Sequence, residues 1–365
     1  MTPDRLAQAL ALRDLTDPAA GEHAVQQVVT AIENALAAAW RVPVLRDPGP
    51  RVVSVTDNYD RLRYDPEAVT RDRRYSRYVG PDRMLRSHTT ARIPALLDRL
   101  AREGPDDVLL SVPGICYRRD VIDRRHVGEP HQLDLWRIRR GGPPLGEAEL
   151  TDMIRIVLST LLPGLPWQTP ASRHPYTTAG REIYVAGVEV GECGLAHPEV
   201  LHPGTTGLAM GLGLDRLTML VKGIPDIRLL RAEDPRIAGQ MRDLRPYRPV
   251  SALPPAPRDL SVAVPDEADA EQLGDRVREL LGPDAEAVEE VAVLAQTPHD
   301  ELPDSARRRM GVRPGQKNVL VRVVLRPLTR TLTSAQANAL RDRIYAGLHE
   351  GVSHEWSTGA RPAGR

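Results

Sequence analysis

The chain has 365 residues, which at about 150 residues per domain suggests two domains, or three, with ample chain to bury a core. With 41% hydrophobic and 27% charged residues it is typical of a globular protein, and no run approaches the roughly 18 apolar residues of a membrane span. Lys+Arg and Asp+Glu both number 49, so an RNA partner needs a local basic patch. The composition excludes a membrane-spanning protein and a disordered one.

The cysteines and the first residues bear on the compartment. Cys116 and Cys193 cannot form a disulfide framework for a chain of this size. The opening segment MTPDRLAQALALRDL has neither an apolar signal core nor an acid-free transit helix. We therefore expect a cytoplasmic protein.

The first half of the chain predicts an antiparallel sheet with flanking helices. Apolar residues at helical spacing between 20 and 40 predict a long helix, and VPVL and RVVSV after it are strand-like. Short apolar runs from 107 onward alternate with charged loops: VLLSV, QLDLWRI and IYVAGVEV. A helical pattern then runs from about Leu214 to Val221.

A proline-rich stretch divides the chain. Five prolines between 246 and 257 disfavour helix and central strand and predict an extended linker. Beyond it we expect a strand near 260, a helix near 273–281, strands at about 286–294 and 318–326, and a last helix. Thr333 and Gln336 predict a capping box for that helix. The β-α-β-β-α order suggests a ferredoxin-like sandwich.

Two segments carry residues of the types that bind nucleotides. GICYRRDVIDRRHVGEPHQLDLW (114–136) fits a hairpin that presents Arg118 to a phosphate, although a salt-bridged surface hairpin is favoured on composition alone. In GLAMGLGLDRLTML (207–220) small residues precede a helix with Asp215 and Arg216 in its first turn, so a nucleotide could approach the backbone. Neither a GKS or GKT sequence nor a GxGxxG sequence accompanies it.

Together the two segments resemble motifs 2 and 3 of class II aminoacyl-tRNA synthetases, and in detail the catalytic subunit of phenylalanyl-tRNA synthetases. Further matching segments are TDNYDRL (56–62), MLRSHTT (84–90), VEVGECGLAHPEVL (188–201) and GLGLDRLTMLVKGIPDIRLL (211–230). The region after 258 resembles the ferredoxin-fold anticodon-binding domain of that family. Both domains on one chain are similar to the single-chain, organelle-type enzymes.

The resemblance implies an α+β protein with four regions: a class II catalytic domain built on an antiparallel sheet at 18–243, a Pro-rich linker at 244–257, a ferredoxin-fold anticodon-binding domain at 258–351 and a flexible tail at 352–365. It implies activation of an amino acid by ATP with Mg²⁺ and transfer to a tRNA, tRNA-Phe or a relative. The region 20–55 lies at the place of motif 1, a dimer element, whereas single-chain members resemble monomers. The sequence thus leaves a homodimer open.

The resemblance also implies roles for individual residues. Arg118 would hold the α-phosphate and Arg216 would bind the nucleotide from the other side, both as electrostatic catalysts. Glu189 is the candidate Mg²⁺ ligand. Further ATP contacts are expected from Arg119, Gly211, Gly213 and Asp215. The expected amino-acid site comprises His126, Gln132, Asp134, His174, Tyr176, Glu192 and Ala209. A basic stretch with Arg308, Arg309 and Lys317 is the candidate tRNA contact, with a solvated loop as the alternative.

The departures from the family pattern fall in the amino-acid pocket. The family's FPF segment reads HPY here (His174 to Tyr176), and Glu192 stands where the family has a glycine, while Ala209 stays small. If the polar side chains face the pocket, they favour a polar amino acid, non-proteinogenic ones included, because a site built to hydrogen-bond rejects an apolar analogue. If they turn away, phenylalanine remains the substrate.

Three functions stay open on the sequence alone. They are a synthetase for phenylalanine or a relative, a paralogue serving a biosynthetic pathway or a non-tRNA acceptor, and a catalytically silent RNA-binding homologue. Arg118 and Arg216 argue against the silent homologue, since a pure binding module has no need of a phosphate clamp. The anticodon-binding domain argues for tRNA. Zinc is disfavoured because the histidines and cysteines lack CxxC and HxxxH spacing.

Overall fold

The computed structural model describes residues 1–73, 75–119, 121–249 and 253–353. Their contacts divide the chain into two compact units, one of residues 1–118 and 129–248, the other of residues 119–128 with the described residues from 249 onward. The predicted ranges of domains, linker and tail remain predictions. Residues 250–252 of the linker and 354–365 of the tail lie outside the described residues.

The first unit is built on a large β-sheet. Its strands and those of a small separate pair are β1 (Val44–Arg46), β2 (Val52–Ser54), β3 (Arg83–Leu85), β4 (Asp107–Ile115), β5 (His131–Arg140), β6 (Trp167–Gln168), β7 (Thr177–Val185), β8 (Val188–Ala196) and β9 (Thr205–Gly213). The large sheet has seven strands in the order β1-β4-β5-β9-β8-β7-β6, and β2 and β3 pair separately. Within the large sheet, β1 and β4 run parallel and the other neighbours antiparallel. This arrangement confirms the predicted antiparallel sheet.

The apolar runs form strands for different local reasons. VLLSV lies in β4, whose residues are buried on both faces, as expected of a strand in the middle of a sheet. IYVAGVEV makes a hairpin between β7 and β8. Its turn residues Ala186 and Gly187 have φ of 50° and 77°, the left-handed pair that a tight two-residue hairpin turn requires.

Helices cover this sheet, and two of them confirm predicted segments. The helix expected between 20 and 40 runs from Ala24 to Trp40, and the pattern from Leu214 matches the helix Leu214–Lys222. The helix Glu147–Leu161 was not predicted, although its buried residues have the same spacing. The helices of the first unit are α1 (Pro3–Ala11), α2 (Ala24–Trp40), α3 (Val55–Asn58), α4 (Ile93–Arg102), α5 (Glu147–Leu161), α6 (Leu214–Lys222) and α7 (Pro235–Ala238).

The second unit has the predicted β-α-β-β-α order with one short helix added. Its elements are β10 (Ala256–Pro265), α8 (Ala270–Leu281), β11 (Val288–Pro298), α9 (Asp304–Met310), β12 (Gln316–Leu325) and α10 (Ser334–Leu348). The sheet order is β10-β12-β11, antiparallel throughout. The capping box of Thr333 and Gln336 is present, which confirms that prediction.

The segment 119–128 belongs to the second unit by its contacts. The Ile122 side chain is buried in that unit's core, and its carbonyl accepts a hydrogen bond from Val291 N–H of the edge strand β11 at 2.7 Å. The Arg124 guanidinium forms a salt bridge with the buried carboxylate of Glu289. Arg278 of α8 also donates to the Val121 carbonyl at 2.6 Å, so one buried apolar residue and several polar contacts fix this charged segment. No helix among the described residues is long and apolar enough to cross a membrane.

A buried carboxylate ties α2 to the sheet. Glu33 on α2 accepts a hydrogen bond from Arg46 Nε of β1 at 2.8 Å and another from the Ser111 hydroxyl of β4. A helix is thereby joined to two neighbouring strands through one side chain. Removing one partner of such a group leaves the others desolvated and unpaired, which is costly.

We expect Glu33→Ala to lower the free energy of unfolding by about 2–3 kcal/mol, since Arg46 and Ser111 lose a buried partner. Urea unfolding followed by circular dichroism measures this. Glu22→Ala, at an exposed position, serves as control and should change stability by less than about 0.5 kcal/mol. A loss below about 1 kcal/mol for Glu33→Ala would show that the tie contributes little.

Candidate active site

The register of the sheet places two arginines on either side of β5. Strand β4 ends at Ile115, opposite His131, and β9 ends at Gly213, opposite Gln132. Arg118 follows β4 by three residues, and Arg216 follows β9 by three residues in the first turn of α6. Because β4 and β9 both pair with β5, the two arginines emerge at the same end of the sheet, flanking the strand between them.

Asp134 lies on this middle strand and is 2% exposed. Its carboxylate accepts hydrogen bonds from the hydroxyls of Thr89 (2.8 Å) and Thr90 (3.0 Å) and from Trp136 Nε1 (3.3 Å). Burial raises the pKa of Asp134 to about 6 despite these bonds, and the charge of Glu192 acts in the same direction. Within the part of the chain that the structure describes, no cation lies at ion-pair distance from this carboxylate.

His88 lies beside this site and was missed by the sequence analysis. Its ring stacks on Tyr64 at a centroid distance of 5.5 Å. Although the backbone of Asn58 acts on the ring as an acceptor, neither ring nitrogen makes a hydrogen bond of good geometry in the described chain. Burial, and then the positive charge of Arg118, lower the pKa of His88 to about 4. Buried polar groups are nearly always paired, so an orphaned imidazole points to a ligand. The sequence could have drawn attention to His88, because it lies in MLRSHTT, one of the segments that resemble the family.

Arg216 is held by a carboxylate on β8. Its Nη1 donates to Glu189 Oε2 at 2.8 Å. A Cβ at Gly213 would lie 3.4 Å from Arg216 Nε, so the guanidinium lies against the backbone at the start of α6. The predicted phosphate-binding residue Arg216 thus has a fixed position.

Gln132, two residues before Asp134 on β5, is also held by a neighbour. Its Oε1 accepts a weak hydrogen bond from Cys116 Sγ at 3.4 Å.

The three polar residues that depart from the family pattern form one cluster. The Tyr176 hydroxyl donates to Glu192 Oε1, and His174 Nε2 lies 3.1 Å from Glu192 Oε2. The Tyr176 ring stacks on Trp136 at 6.0 Å and on His174 at 6.2 Å. Ala209, paired with Trp136 in the sheet, is buried below them. The polar side chains therefore meet one another rather than turning apart.

With this geometry in place, comparison with known proteins identifies the family. The family model for the class II core domain of tRNA synthetases (F) matches residues 11–241. The chain belongs to this family. Class II synthetases as a group use ATP and Mg²⁺.

Individual relatives and a solved structure also match this class II chain. A Drosophila melanogaster protein named "Probable phenylalanine--tRNA ligase, mitochondrial" is 26% identical over 358 residues, covering 80% of this chain and 74% of that protein. The phenylalanine--tRNA ligase alpha subunit of Nostoc punctiforme is 31% identical over 202 residues, which cover 53% of this chain and 59% of the subunit, less than two thirds of its length. A Desulfitobacterium hafniense pyrrolysyl tRNA synthetase structure matches with 17% identity and a TM-score of 0.46, covering 62% of this chain and 77% of that one.

One predicted nucleotide contact has a different set of partners in this synthetase core. Both Asp215 oxygens accept hydrogen bonds from His131, one from its backbone N–H and one from Nδ1 at 2.9 Å. Although burial acts against it, the His131 ring lowers the pKa of Asp215. Leu15 N–H donates to His131 Nε2 at 3.0 Å. The carboxylate thus joins α6 to the start of β5, and its ATP contact stays a prediction.

Two other predicted residues, Arg119 and His126, lie in the segment 119–128 of the second unit. Arg119 Nε is 3.3 Å from Asp275 Oδ2, and His126 Nδ1 is 2.7 Å from Asp123 Oδ2. Their expected contacts with ATP and the amino acid stay predictions. The candidate tRNA residues also lie in this unit: Arg308 and Arg309 on α9 and Lys317 on β12.

Protonation of Asp134 provides a test of its environment. Folding raises its pKa from 3.8 to about 6, so the folded state binds this proton more tightly than the unfolded state. The stability it contributes is therefore fully present below about pH 4 and is lost as pH rises through 6.

We expect the free energy of unfolding of the wild type, minus that of Asp134→Asn, to fall by about 3 kcal/mol between about pH 4 and pH 8. Urea unfolding at a series of pH values measures this difference. The same subtraction with Asp4→Asn, an exposed aspartate, should be flat. A flat curve for Asp134→Asn as well would mean that burial leaves its pKa near the ordinary value.

Proposed function

We propose that this protein activates an amino acid of the phenylalanine class with ATP and transfers the aminoacyl group to a tRNA. The observation that carries the proposal is the Asp134 carboxylate, buried with neutral donors only, on the strand that Arg118 and Arg216 flank. In this arrangement the Asp134 carboxylate can bind the ammonium group of an amino acid, and Arg118 and Arg216 beside it can each bind a phosphate. The names of the relatives, phenylalanine--tRNA ligases, support the substrate class.

In the first step the residues orient and stabilise rather than form covalent bonds. The α-ammonium of the amino acid pairs with Asp134, and the orphaned ring of His88 takes a further polar atom of the substrate. An amino-acid carboxylate oxygen then bonds to the α-phosphorus of ATP, and the bond from that phosphorus to the oxygen bridging the β-phosphate breaks, releasing pyrophosphate. Arg118 and Arg216 stabilise the charge on the α-phosphate from two sides.

In the second step a ribose hydroxyl at the end of the tRNA attacks the carbonyl carbon of the adenylate. The bond between that carbon and the phosphate oxygen breaks, so AMP leaves, and the proton of the hydroxyl passes to the phosphate of the departing AMP. Gly211 and Gly213 of β9 lie beside β5, where they would let the adenylate approach the backbone. No side chain needs to become an acylated intermediate.

Glu189 fits the role of a Mg²⁺ ligand in one respect. One of its oxygens is held by Arg216, and the side chain remains 39% exposed, so lone pairs are left for a cation. Mg²⁺ is usually held by one or two carboxylates together with substrate phosphates and water. The described residues contain no group of three histidine, cysteine, aspartate or glutamate side chains suited to a metal. When bound, the ion would neutralise charge on the phosphates.

The second unit would bind the tRNA. Arg308 on α9 is exposed, with Arg309 beside it, and Lys317 follows on β12. These cations lie in one stretch of a chain whose overall charge is zero, as a local phosphate contact requires. Two further expectations belong to the proposal: a cytoplasmic location, supported by the free, buried Cys116 and Cys193, and a homodimer through the motif 1 region.

The activation step is tested by amino-acid-dependent ATP–pyrophosphate exchange. Arg118→Ala and Arg216→Ala should each lower kcat/KM by about 10²–10³-fold, because each removes a charge that stabilises the transition state. Arg155→Ala, on the exposed face of α5, is the matched control and should retain the wild-type rate. Wild-type rates in both site variants would contradict the proposal.

The transfer step is tested by charge reversal in the second unit. The double variant Arg308→Glu with Arg309→Glu should weaken aminoacylation through a higher KM for tRNA and flatten its salt dependence, while pyrophosphate exchange stays unchanged. Arg236→Glu with Arg245→Glu, two exposed arginines of the first unit, gives a control with the same change in net charge. An unchanged salt slope in the first double variant would remove these residues from the tRNA contact.

A further inference from the structure

Glu192 and Asp134 lie in one row across three strands of the sheet. Gly211 on β9 pairs with Asp134 on β5 and with Glu192 on β8. Residues paired in this way point to the same face, so two carboxylates occupy the ends of the row and the middle position has no side chain. Two strand spacings, about 9–10 Å, separate their backbones. A Cβ at Gly211 would contact Glu192 Cγ at 3.7 Å, so the glycine keeps this space open.

Two buried side chains hold the Glu192 carboxylate in place. His174 Nε2 lies 3.1 Å from one Glu192 oxygen, and Thr177 Oγ1 lies 3.3 Å from the other ring nitrogen of His174. The Tyr176 hydroxyl donates to the other oxygen. A carboxylate offers about four lone-pair sites, so these partners leave acceptor capacity. That capacity faces outward, since the side chain of Glu192 is 39% exposed whereas that of His174 is 8% exposed.

Glu192 differs from Glu189, on the same strand, in having no ion pair with an arginine or lysine in the described chain. Glu189, three residues earlier on β8, forms an ion pair with Arg216. Within the described chain Glu192 has no arginine or lysine at ion-pair distance, and its partners are a phenol and an imidazole. A fixed acceptor with spare lone pairs, set opposite the carboxylate that takes the α-ammonium, is arranged to meet a donor at the other end of the same amino acid.

We propose that Glu192 selects the substrate, and that the amino acid activated by this protein carries an O–H or N–H donor on its side chain. This inference rests on the proposed function, since it places the α-ammonium at Asp134. A phenyl side chain has no donor, so it would cover Glu192 without replacing the water it removes. Sites built to hydrogen-bond a substrate group reject analogues lacking it by about 10⁴–10⁵-fold. Because Glu192 stays partly exposed, we expect a preference of about 10²-fold.

The first measurement is ATP–pyrophosphate exchange by the wild-type chain with size-matched amino acids. Phenylalanine, tyrosine and 4-aminophenylalanine differ only in the donor on the ring, and lysine, ornithine and the other standard amino acids extend the panel to aliphatic donors. We expect kcat/KM for at least one donor-bearing amino acid to exceed that for phenylalanine by about 100-fold. The best substrate shows whether the donor is a hydroxyl or an ammonium group.

The second measurement assigns the preference to Glu192. Glu192→Gly should lower kcat/KM for the preferred amino acid by about 100-fold and raise it for phenylalanine. Glu192→Gln keeps an acceptor of the same shape, so it should lower the rate strongly for an ammonium donor and only a few-fold for a hydroxyl. Glu182→Gln is the matched control, because Glu182 pairs with Glu192 in the sheet but accepts from Ser172 and Tyr184. Thermal unfolding of each variant verifies that it is folded.

The outcomes separate the inference from the function on which it rests. Exchange that favours phenylalanine in the wild type would overturn the inference and leave the synthetase function standing. A donor preference that Glu192→Gly and Glu192→Gln leave unchanged would also overturn it, since another residue would then select the substrate. Absence of exchange with every amino acid of the panel would overturn the proposed function and the inference together.

Discussion

A carboxylate buried among neutral donors is the constraint around which this synthetase core is arranged. Asp134 has hydroxyl and indole partners from three residues but no cation in the described chain. Taking such a charge out of water is costly, and hydrogen bonds offset only part of the cost. The remainder makes the site receptive to a cation, and in the proposed function the α-ammonium of the amino acid is that cation. The position on β5, with paired strands on both sides, keeps the group from relaxing toward solvent.

The elements that bring the arginines to this carboxylate are secured by buried polar links. His131 begins β5 and receives a hydrogen bond from Leu15 N–H near the chain start, while its other nitrogen bonds Asp215 in the first turn of α6. Since Arg216 is the next residue, this link fixes the start of the helix that carries it. Adjacent residues on a helix point about 100° apart. Asp215 therefore faces the interior while Arg216 reaches Glu189 on β8.

The sequence predicted those features that follow from local pattern. The periodicity of apolar residues was sufficient to predict the helices α2 and α6. The capping box of Thr333 and Gln336 was sufficient to predict the start of α10. The resemblance brought Asp134, Arg118 and Arg216 to notice as a group. The hydrogen-bond partners of individual polar side chains could not be predicted, because they depend on the register of the strands. Asp215 was expected at ATP and bonds His131, and nothing local marked His88 as buried and unpaired.

The segment 119–128 shows the same limit on a larger scale. Its arginines and acids predict a solvated hairpin, but Ile122 is buried in the core of the second unit and Arg124 pairs with Glu289 there. Of its three apolar side chains, Val121, Ile122 and Val127, only Ile122 is buried. The composition of the segment does not show which of its side chains is buried. Burial of a single isoleucine stabilises by about 1.5–3 kcal/mol, which is enough to decide where a short segment packs.

The distribution of charge along β8 separates the site into two halves. Glu189 is neutralised by Arg216, which leaves that end of the strand suited to phosphates and their cation. Glu192, three residues further, has a phenol and an imidazole as partners, beside the aromatic rings of Tyr176 and Trp136. His174 and Tyr176, in place of two phenylalanines of the family pattern, supply the polar partners of the half-buried Glu192 at this position. The three departures are therefore best understood as one change, since the glutamate without its donors, or the donors without the glutamate, would leave polar groups unpaired in the pocket.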